Sequence, residues 1–307
     1  MKIVKISGGL GNQMFQYAFA RSMQEKTGEA VLIDTTLYDS FSVHNGFELD
    51  LLFTCILKKA TVQEIDSLAS RQNNLLSRFR RKYFRKMTHY LDTKGGYQPE
   101  LLETISPSGS TNCYYEGYWQ TEKYFQEIAD VIRKDFSFKK NLSEKSTKLF
   151  SRIDENTASV HIRHGDYANL PNFNSICTEN YYKNAFKYLF EHRTINKVVV
   201  FSNDITWCKE KLPELIKNSK KYESVLPEII FVDWNTGADS WQDMALMSYC
   251  GCNIISNSTF SWWGAWLNNN TDKIVLAPEI WARPRTKGFY KYNYNYVLPN
   301  SWIKVEY

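Results

Sequence analysis

The eight residues VHIRHGDY, Val160 to Tyr167, hold two histidines, an arginine and an aspartate. Imidazoles bind metals and move protons, a guanidinium grips phosphate oxygens, and a carboxylate takes a proton or orients a cation. If the stretch ends a strand, Ser159, His161 and Arg163 share one face, and Val160 and Ile162 share the other. His161 and Arg163 then point together toward whatever the strand's end presents. His164 falls out of register with His161, in the turn at Gly165. A metal held by both histidines requires that turn to fold back beside a cation. The pattern therefore favours an anion, with Arg163 as its clamp. The plainer alternative is a strand end with a surface ion pair between Arg163 and Asp166.

Three other stretches put polar groups at expected strand ends. In ISNSTFSWWGAW, Asn257, Ser258, Thr259, Phe260 and Ser261 lead into a helix that Ser258 or Thr259 can cap. A helix start with unpaired N–H groups is an anion site; Trp262, Trp263 and Trp266 read as core. In GGLGNQ, Gly9 and Gly11 ease a turn for close approach of a ligand, and Asn12 and Gln13 supply amides for hydroxyls or phosphate. The pattern is neither G-x-G-x-x-G nor a Walker loop. FSNDITW adds Ser202, Asn203 and Asp204. Asp243 starts another helix, where it either accepts from a purine's N–H groups or answers the helix dipole. No Asp-x-Asp follows an apolar strand, so a diphosphate has no evident metal-ligand pair and needs other counter-charges.

The elements that position these residues alternate. KIVKIS and AVLID read as strands around a helix over NQMFQYAFARSMQEKTG, with Asn12 as its cap and Gly28 as its stop. NNLLSRFRRKYFRKMTHYL reads as a helix with an apolar side and a basic side. That side is a solvated face or, over residues 75–91, a peripheral contact with an anionic membrane. From residue 157, TASVHIR, KVVVFS, EIIFVD, CNIIS and KIVLAP read as strands, with helices over ENYYKNAFKYLFEH, NDITWCKEKL, SWQDMALMSYC and NSTFSWWGAWLNN between them. Such alternation implies right-handed crossovers and parallel sheets. Two α/β units follow, residues 1–150 and 151–307: Rossmann-like domains facing a cleft, with ligands beyond the carboxyl ends of their strands.

Composition narrows the function classes. The 307 residues carry a formal net charge of +5, too mild and too dispersed for a nucleic-acid binder. Aromatics at 15% suit a core, and as a population also a carbohydrate site. Cys55, Cys113, Cys177, Cys208, Cys250 and Cys252 form no C-x-x-C pair, which reads as a reducing compartment. With neither a signal-peptide pattern nor a membrane-spanning run, the expected location is cytoplasmic or peripheral to the membrane's inner face.

GGLGNQMFQYAFARSM, VHIRHGDY, VVVFSNDITWCK, WQDMALMSYCGCNIISNSTFSWWGAWL and KIVLAP together resemble the bacterial α-1,2-fucosyltransferases of glycosyltransferase family 11, from residue 3 to about 280. The resemblance implies a GT-B fold and GDP-L-fucose as donor. It further implies no required metal, inversion at the fucose anomeric carbon, and a terminal β-galactoside accepting at its 2-hydroxyl. The family's H-x-R-R-x-D element maps to His161, Arg163, His164 and Asp166, with His164 replacing a second arginine. Arg163 is then the residue expected to hold the donor's β-phosphate. Asp166 or His161 is expected as proton acceptor or as orienter of Arg163, unless the departing phosphate takes the proton. Ser258 to Ser261 are implied for the nucleotide phosphates, Asp243 for guanine, and the loop with Asn12 for the fucose and acceptor. Bacterial surface polysaccharide such as O-antigen is the implied destination, with host-glycan mimicry equally open.

Overall fold

Short β-branched strands alternating with helices build two parallel sheets. The computed structural model describes residues 1–40, 44–69, 88–106, 109–164, 176–220, 225–283 and 292–306. The chain divides into two compact units, Met1–Lys139 with Gly288–Val297, and Lys140–Lys287 with Leu298–Tyr307. The expected boundary at 150 is displaced: the Glu144–Phe150 helix belongs to the second unit, where Leu149 joins the core.

The first unit carries β1 (Lys2–Lys5), β2 (Val31–Asp34), β3 (His89–Leu91) and β4 (Cys113–Glu116), all parallel, in the order β2-β1-β4-β3. β1 is central. Ile3 and Val4 are buried on opposite faces, as a strand covered on both sides requires. Its helix, Leu10–Thr27, is buried almost all round from Leu10 to Met23 rather than on one side. Gly28 stops it in the left-handed conformation (φ 68°), as the sequence predicts, but Gly9 and not Asn12 occupies the N-cap position. The helix expected over residues 73–91 lies outside the described residues up to 87. Its last turn is not helical: His89–Leu91 forms β3, the edge strand beside β4.

The second unit carries β5 (Thr157–Ile162), β6 (Lys197–Ser202), β7 (Glu228–Val232), β8 (Cys252–Ile254), β9 (Ile274–Pro278) and β10 (Ile303–Val305). The order is β10-β9-β8-β5-β6-β7, all parallel. β10 was not expected from the sequence. Val160 and Ile162 pack with the Glu179–His192 and Ile205–Asn218 helices through Tyr182, Phe186 and Leu212. His161 pairs in register with Phe201, whose side chain belongs to the core on the opposite face with Leu246 and Met247. Strand parity thus separates His161 from Val160 and Ile162 as the alternation predicts. All six cysteines are free thiols. No helix among the described residues is long and apolar enough to cross a membrane.

Candidate functional site

The order of the second sheet reverses between β5 and β8. At such a point the connections leave in opposite directions and open a crevice beyond the strand ends. β5 runs out into Arg163 and His164, and β8 into Ser256–Ser258. A hydrogen bond ties the two ends: His161 Nδ1 and Ser256 Oγ lie 2.8 Å apart, both side chains buried. The Ser256 carbonyl accepts from the Ser258 N–H at 2.8 Å and the Ser261 hydroxyl at 3.5 Å, which bends the turn into the Thr259–Trp266 helix.

That helix departs from the expected capping. Ser258 holds the N-cap position, but its own side chain makes no cap hydrogen bond. A helix start of this kind favours an anion at its N–H groups. Thr259 and Phe260 are half-buried at this end, and Trp262, Trp263 and Trp266 are core residues as expected. Asn257 is 2% exposed; its Nδ2 donates to the Trp281 carbonyl at 3.2 Å and its Oδ1 accepts from Cys177 Sγ at 3.5 Å. It braces the turn from behind.

Arg163 is half-buried, one residue past β5. His164 is held toward β6 instead. Its N–H donates to Asn203 Oδ1 at 3.1 Å, its Nδ1 lies 2.9 Å from Asp204 Oδ2, and its ring stacks on Trp207 at 4.9 Å. Asp204 Oδ1 caps the Ile205–Asn218 helix through the Trp207 N–H, and the Asp204 N–H donates to Ser202 Oγ. The hydrogen bond from His164, then the Trp207 N–H, holds the Asp204 carboxyl below the usual carboxylate range. Ser202, Asn203 and Asp204 thus form a bracket for the end of β5. Asp166 lies outside the described residues.

Asp243 stands in the first turn of the Trp241–Met247 helix. That helix packs closely on Thr259–Trp266, where a Cβ on Gly264 would come within 2.9 Å of Met247. Asn235 Nδ2 donates to Asp243 Oδ1 at 2.8 Å; Asn235 Oδ1 accepts from Ser146, whose oxygen accepts from Trp234 Nε1, both at 3.0 Å. Loss of water raises the Asp243 pKa to about 7, against the opposing pull of Asn235. Asn235, Ser146 and Trp234 were not foreseen. Their one sequence signal is DWN, at the carboxyl end of β7.

The first sheet reverses between β1 and β4. Here Gly8 takes φ +80°, and its carbonyl accepts from Tyr38 Oη at 2.7 Å and Gln13 Nε2 at 3.1 Å. Gln13 is fully buried; it also donates to the Gly46 carbonyl and accepts from the Glu48 N–H. It is a strut, as is Gln16, which ties Ser7 beyond β1 to the Gly117 carbonyl beyond β4. Gly11 is buried in the first helical turn, whereas Gly9 and Asn12 stay on the half-buried rim. Asn12 Oδ1 accepts from Gln120 Nε2 at 2.9 Å. Beside them Glu116 sits between Lys5 (2.8 Å) and His89 (2.9 Å). Burial alone raises its pKa, but the His89 hydrogen bond and the Lys5 charge outweigh that and bring it to about 2.

The model of the family described as glycosyl transferase family 11 matches residues 1–298. An α-1,2-colitosyltransferase of Escherichia coli is 32% identical, over 99% of this chain and 98% of its own length. WbnK, an O-antigen biosynthesis glycosyltransferase of the same species, is 29% identical over 98% and 99%. Galactoside α-(1,2)-fucosyltransferase 1 of Ateles belzebuth is 21% identical over 88% of this chain and 66% of that protein. Among solved structures, a variant of Arabidopsis thaliana FUT1 in complex with GDP superposes with a TM-score of 0.53 at 13% identity, over 93% of this chain and 71% of that one. The fold is accordingly GT-B, two parallel α/β units in one chain. With the family pattern running through both sheets and nearly from end to end, the chain belongs to glycosyltransferase family 11.

Proposed function

We propose that the protein transfers L-fucose from GDP-L-fucose to the 2-hydroxyl of a terminal β-galactoside, with inversion and without a required metal. The observation that carries this reading is the switch point of the second sheet. Arg163 stands there beside the His161–Ser256 tie and a helix start whose N-cap residue, Ser258, makes no side-chain cap hydrogen bond. That is a preorganised cradle for the negative charge of a departing diphosphate. The acceptor oxygen bonds to C1 of the sugar as the C1–O bond to the β-phosphate breaks, and GDP leaves with the electron pair. Ser258, Thr259, Phe260 and Ser261 line the phosphate side, and Asp243 accepts from guanine. The acceptor's proton goes to Asp166, to His161 or to the phosphate.

The similarity to a colitosyltransferase favours a second donor reading. Colitose is L-fucose lacking the 3-hydroxyl, so both sugars present the same anomeric centre to the same cradle. The name of WbnK favours O-antigen as the destination of the product. The deciding experiment offers GDP-fucose and GDP-colitose separately with a set of β-galactosides, follows GDP release and assigns the product linkage by NMR. An α-1,2-linked fucoside is the expected product. An α-1,2-linked colitoside formed in preference to it selects the second donor. No GDP release from either donor overturns the reading.

A further inference from the structure

Among the described residues, two that are not glycine take positive φ, Trp119 at 54° and His44 at 56°. Both adjoin the turn beyond β1. The His44 ring lies 3.5 Å from where a Cβ on Gly9 would stand. Trp119 follows β4 by three residues and belongs to the segment Gly117-Tyr118-Trp119-Gln120. A bulky side chain in the left-handed region is a true outlier, sustained only where the surroundings over-determine it. Here the anchor is evident: the indole is 1% exposed and stacks on Phe19 at 4.4 Å and 15°. Even so, its Nε1 has no hydrogen-bond partner among the described residues.

The turn leaves the side chains on either side of Trp119 on the rim. Tyr118 is 46% exposed, an aromatic ring presented to solvent at the end of a central strand. Gln120 turns its amide onto Asn12. Gly117 makes the turn sterically feasible, since a Cβ there would come within 2.6 Å of the Trp119 ring. Tyr118 also lies near Tyr38, whose pKa is raised first by burial and then by the neighbouring Glu48 carboxylate and Tyr118 phenol. The rim beyond β1 and β4 thus carries phenols, neutral amides and the His44 imidazole, with Lys5 and Glu116 paired to each other behind it. That chemistry suits an uncharged, hydroxyl-rich ligand with an apolar face. The strand ends of the second sheet, with Arg163, suit an anion.

We propose that Tyr118 is the platform on which the acceptor's galactose stacks, with the Asn12–Gln120 amide pair facing its hydroxyls. This rests on the galactoside reading above. In galactose the axial 4-hydroxyl leaves the C–H groups at C3, C4 and C5 together on the opposite face. A phenol ring covers such a face without fixing the rest of the glycan.

The test is steady-state kinetics of the full-length protein with β-galactoside varied at saturating donor, beside donor hydrolysis to water without acceptor. Tyr118→Ala is expected to raise the acceptor KM about tenfold, the loss of ~1.4 kcal/mol of binding. The donor KM and the acceptor-free hydrolysis rate stay unchanged, and Tyr118→Phe and Tyr118→Trp keep the wild-type acceptor KM. An unchanged acceptor KM in Tyr118→Ala overturns the proposal. So does a fall in hydrolysis matching the fall in transfer, which marks a merely structural role. If the wild-type protein turns over neither donor, saturation-transfer NMR with methyl β-galactoside decides. Signal that Tyr118→Ala abolishes supports the platform; signal it leaves intact, or no signal from the wild type, removes it.

Discussion

Arg163 and Asp243 carry the sharpest expectations for single side chains. Arg163 is half-buried at a strand end, so truncating it empties no core. In the proposed reaction it meets charge that develops as GDP leaves. Arg163→Ala should therefore lower kcat by about 10²–10³-fold, the worth of one preorganised donor, with little change in Tm. Turnover near wild type would remove Arg163 from the clamp. Asp243 gives a pH signature. Burial pushes its carboxyl up from the ordinary 3.8 to about 7 in the fold. Between those values the folded protein holds a proton that the unfolded chain has released. This group's contribution to stability is present below 3.8 and is lost as pH rises through about 7. Guanine's N1–H and N2–H groups need the carboxylate form. GDP affinity should weaken below pH 7 by about tenfold per unit, and binding at pH 6 should release a proton. Isothermal titration in buffers of different ionisation enthalpy measures that proton. Asp243→Asn should bind GDP more weakly, with a flat pH profile; wild-type affinity in this variant would free guanine from Asp243.

Between the elements, the bracket from β6 holds His164, the neighbour of Arg163 at the end of β5. The family resemblance aligns His164 with an arginine, yet its ring is committed to Asp204 and Trp207. A positioning role predicts coupling. His164→Ala and Asp204→Asn should each raise the donor KM several-fold, and the double variant should be no worse than the more impaired single one. Additive losses would show that His164 and Asp204 act independently on the ligand. The same elements show how much was legible beforehand. Glu179–His192 and Lys197–Ser202 fall where periodicity places them, because a buried parallel strand and an amphipathic helix leave distinct patterns. β3 and β10 are three-residue edge strands whose identity comes from pairing with β4 and β9, and no local pattern encodes that. At the site, the parity of His161 could be read from the strand. The duties of Gln13 and Asn257 could not, since an amide serves a ligand or a backbone group equally well and only the fold brings Gly46 or Trp281 within reach.

At the scale of the whole molecule, both sheets reverse their order and candidate residues stand at each reversal, Arg163 at one and the Asn12–Gln120 amides at the other. In the proposed reaction Arg163 and the start of the Thr259–Trp266 helix supply the counter-charge for the diphosphate, so transfer should continue at an undiminished rate in excess EDTA; a loss restored by a divalent ion would overturn metal independence. The units also share the C-terminal stretch of the chain. In the first unit, Asn293 donates its N–H to the Lys94 carbonyl at 2.7 Å, and Tyr292 donates to Asp92 at 3.2 Å. The chain then re-enters the second unit, where β10 extends the sheet beside β9 and Trp302 packs against Trp262 at 5.3 Å. Neither unit is complete without residues beyond 291. A chain ending at Arg283 should therefore fail to yield folded protein, although every candidate catalytic residue precedes that point. Point variants separate the two contributions. Trp302→Ala should cost about 3–5 kcal/mol, as emptying a buried indole site does. Tyr292→Phe should cost about 1.5–3 kcal/mol, one hydrogen bond to a carboxylate with the ring retained. Thermal melts with and without GDP measure both. If the shortened chain keeps a native near-ultraviolet circular dichroism spectrum and wild-type GDP affinity, the last strand is an appendage rather than part of either fold.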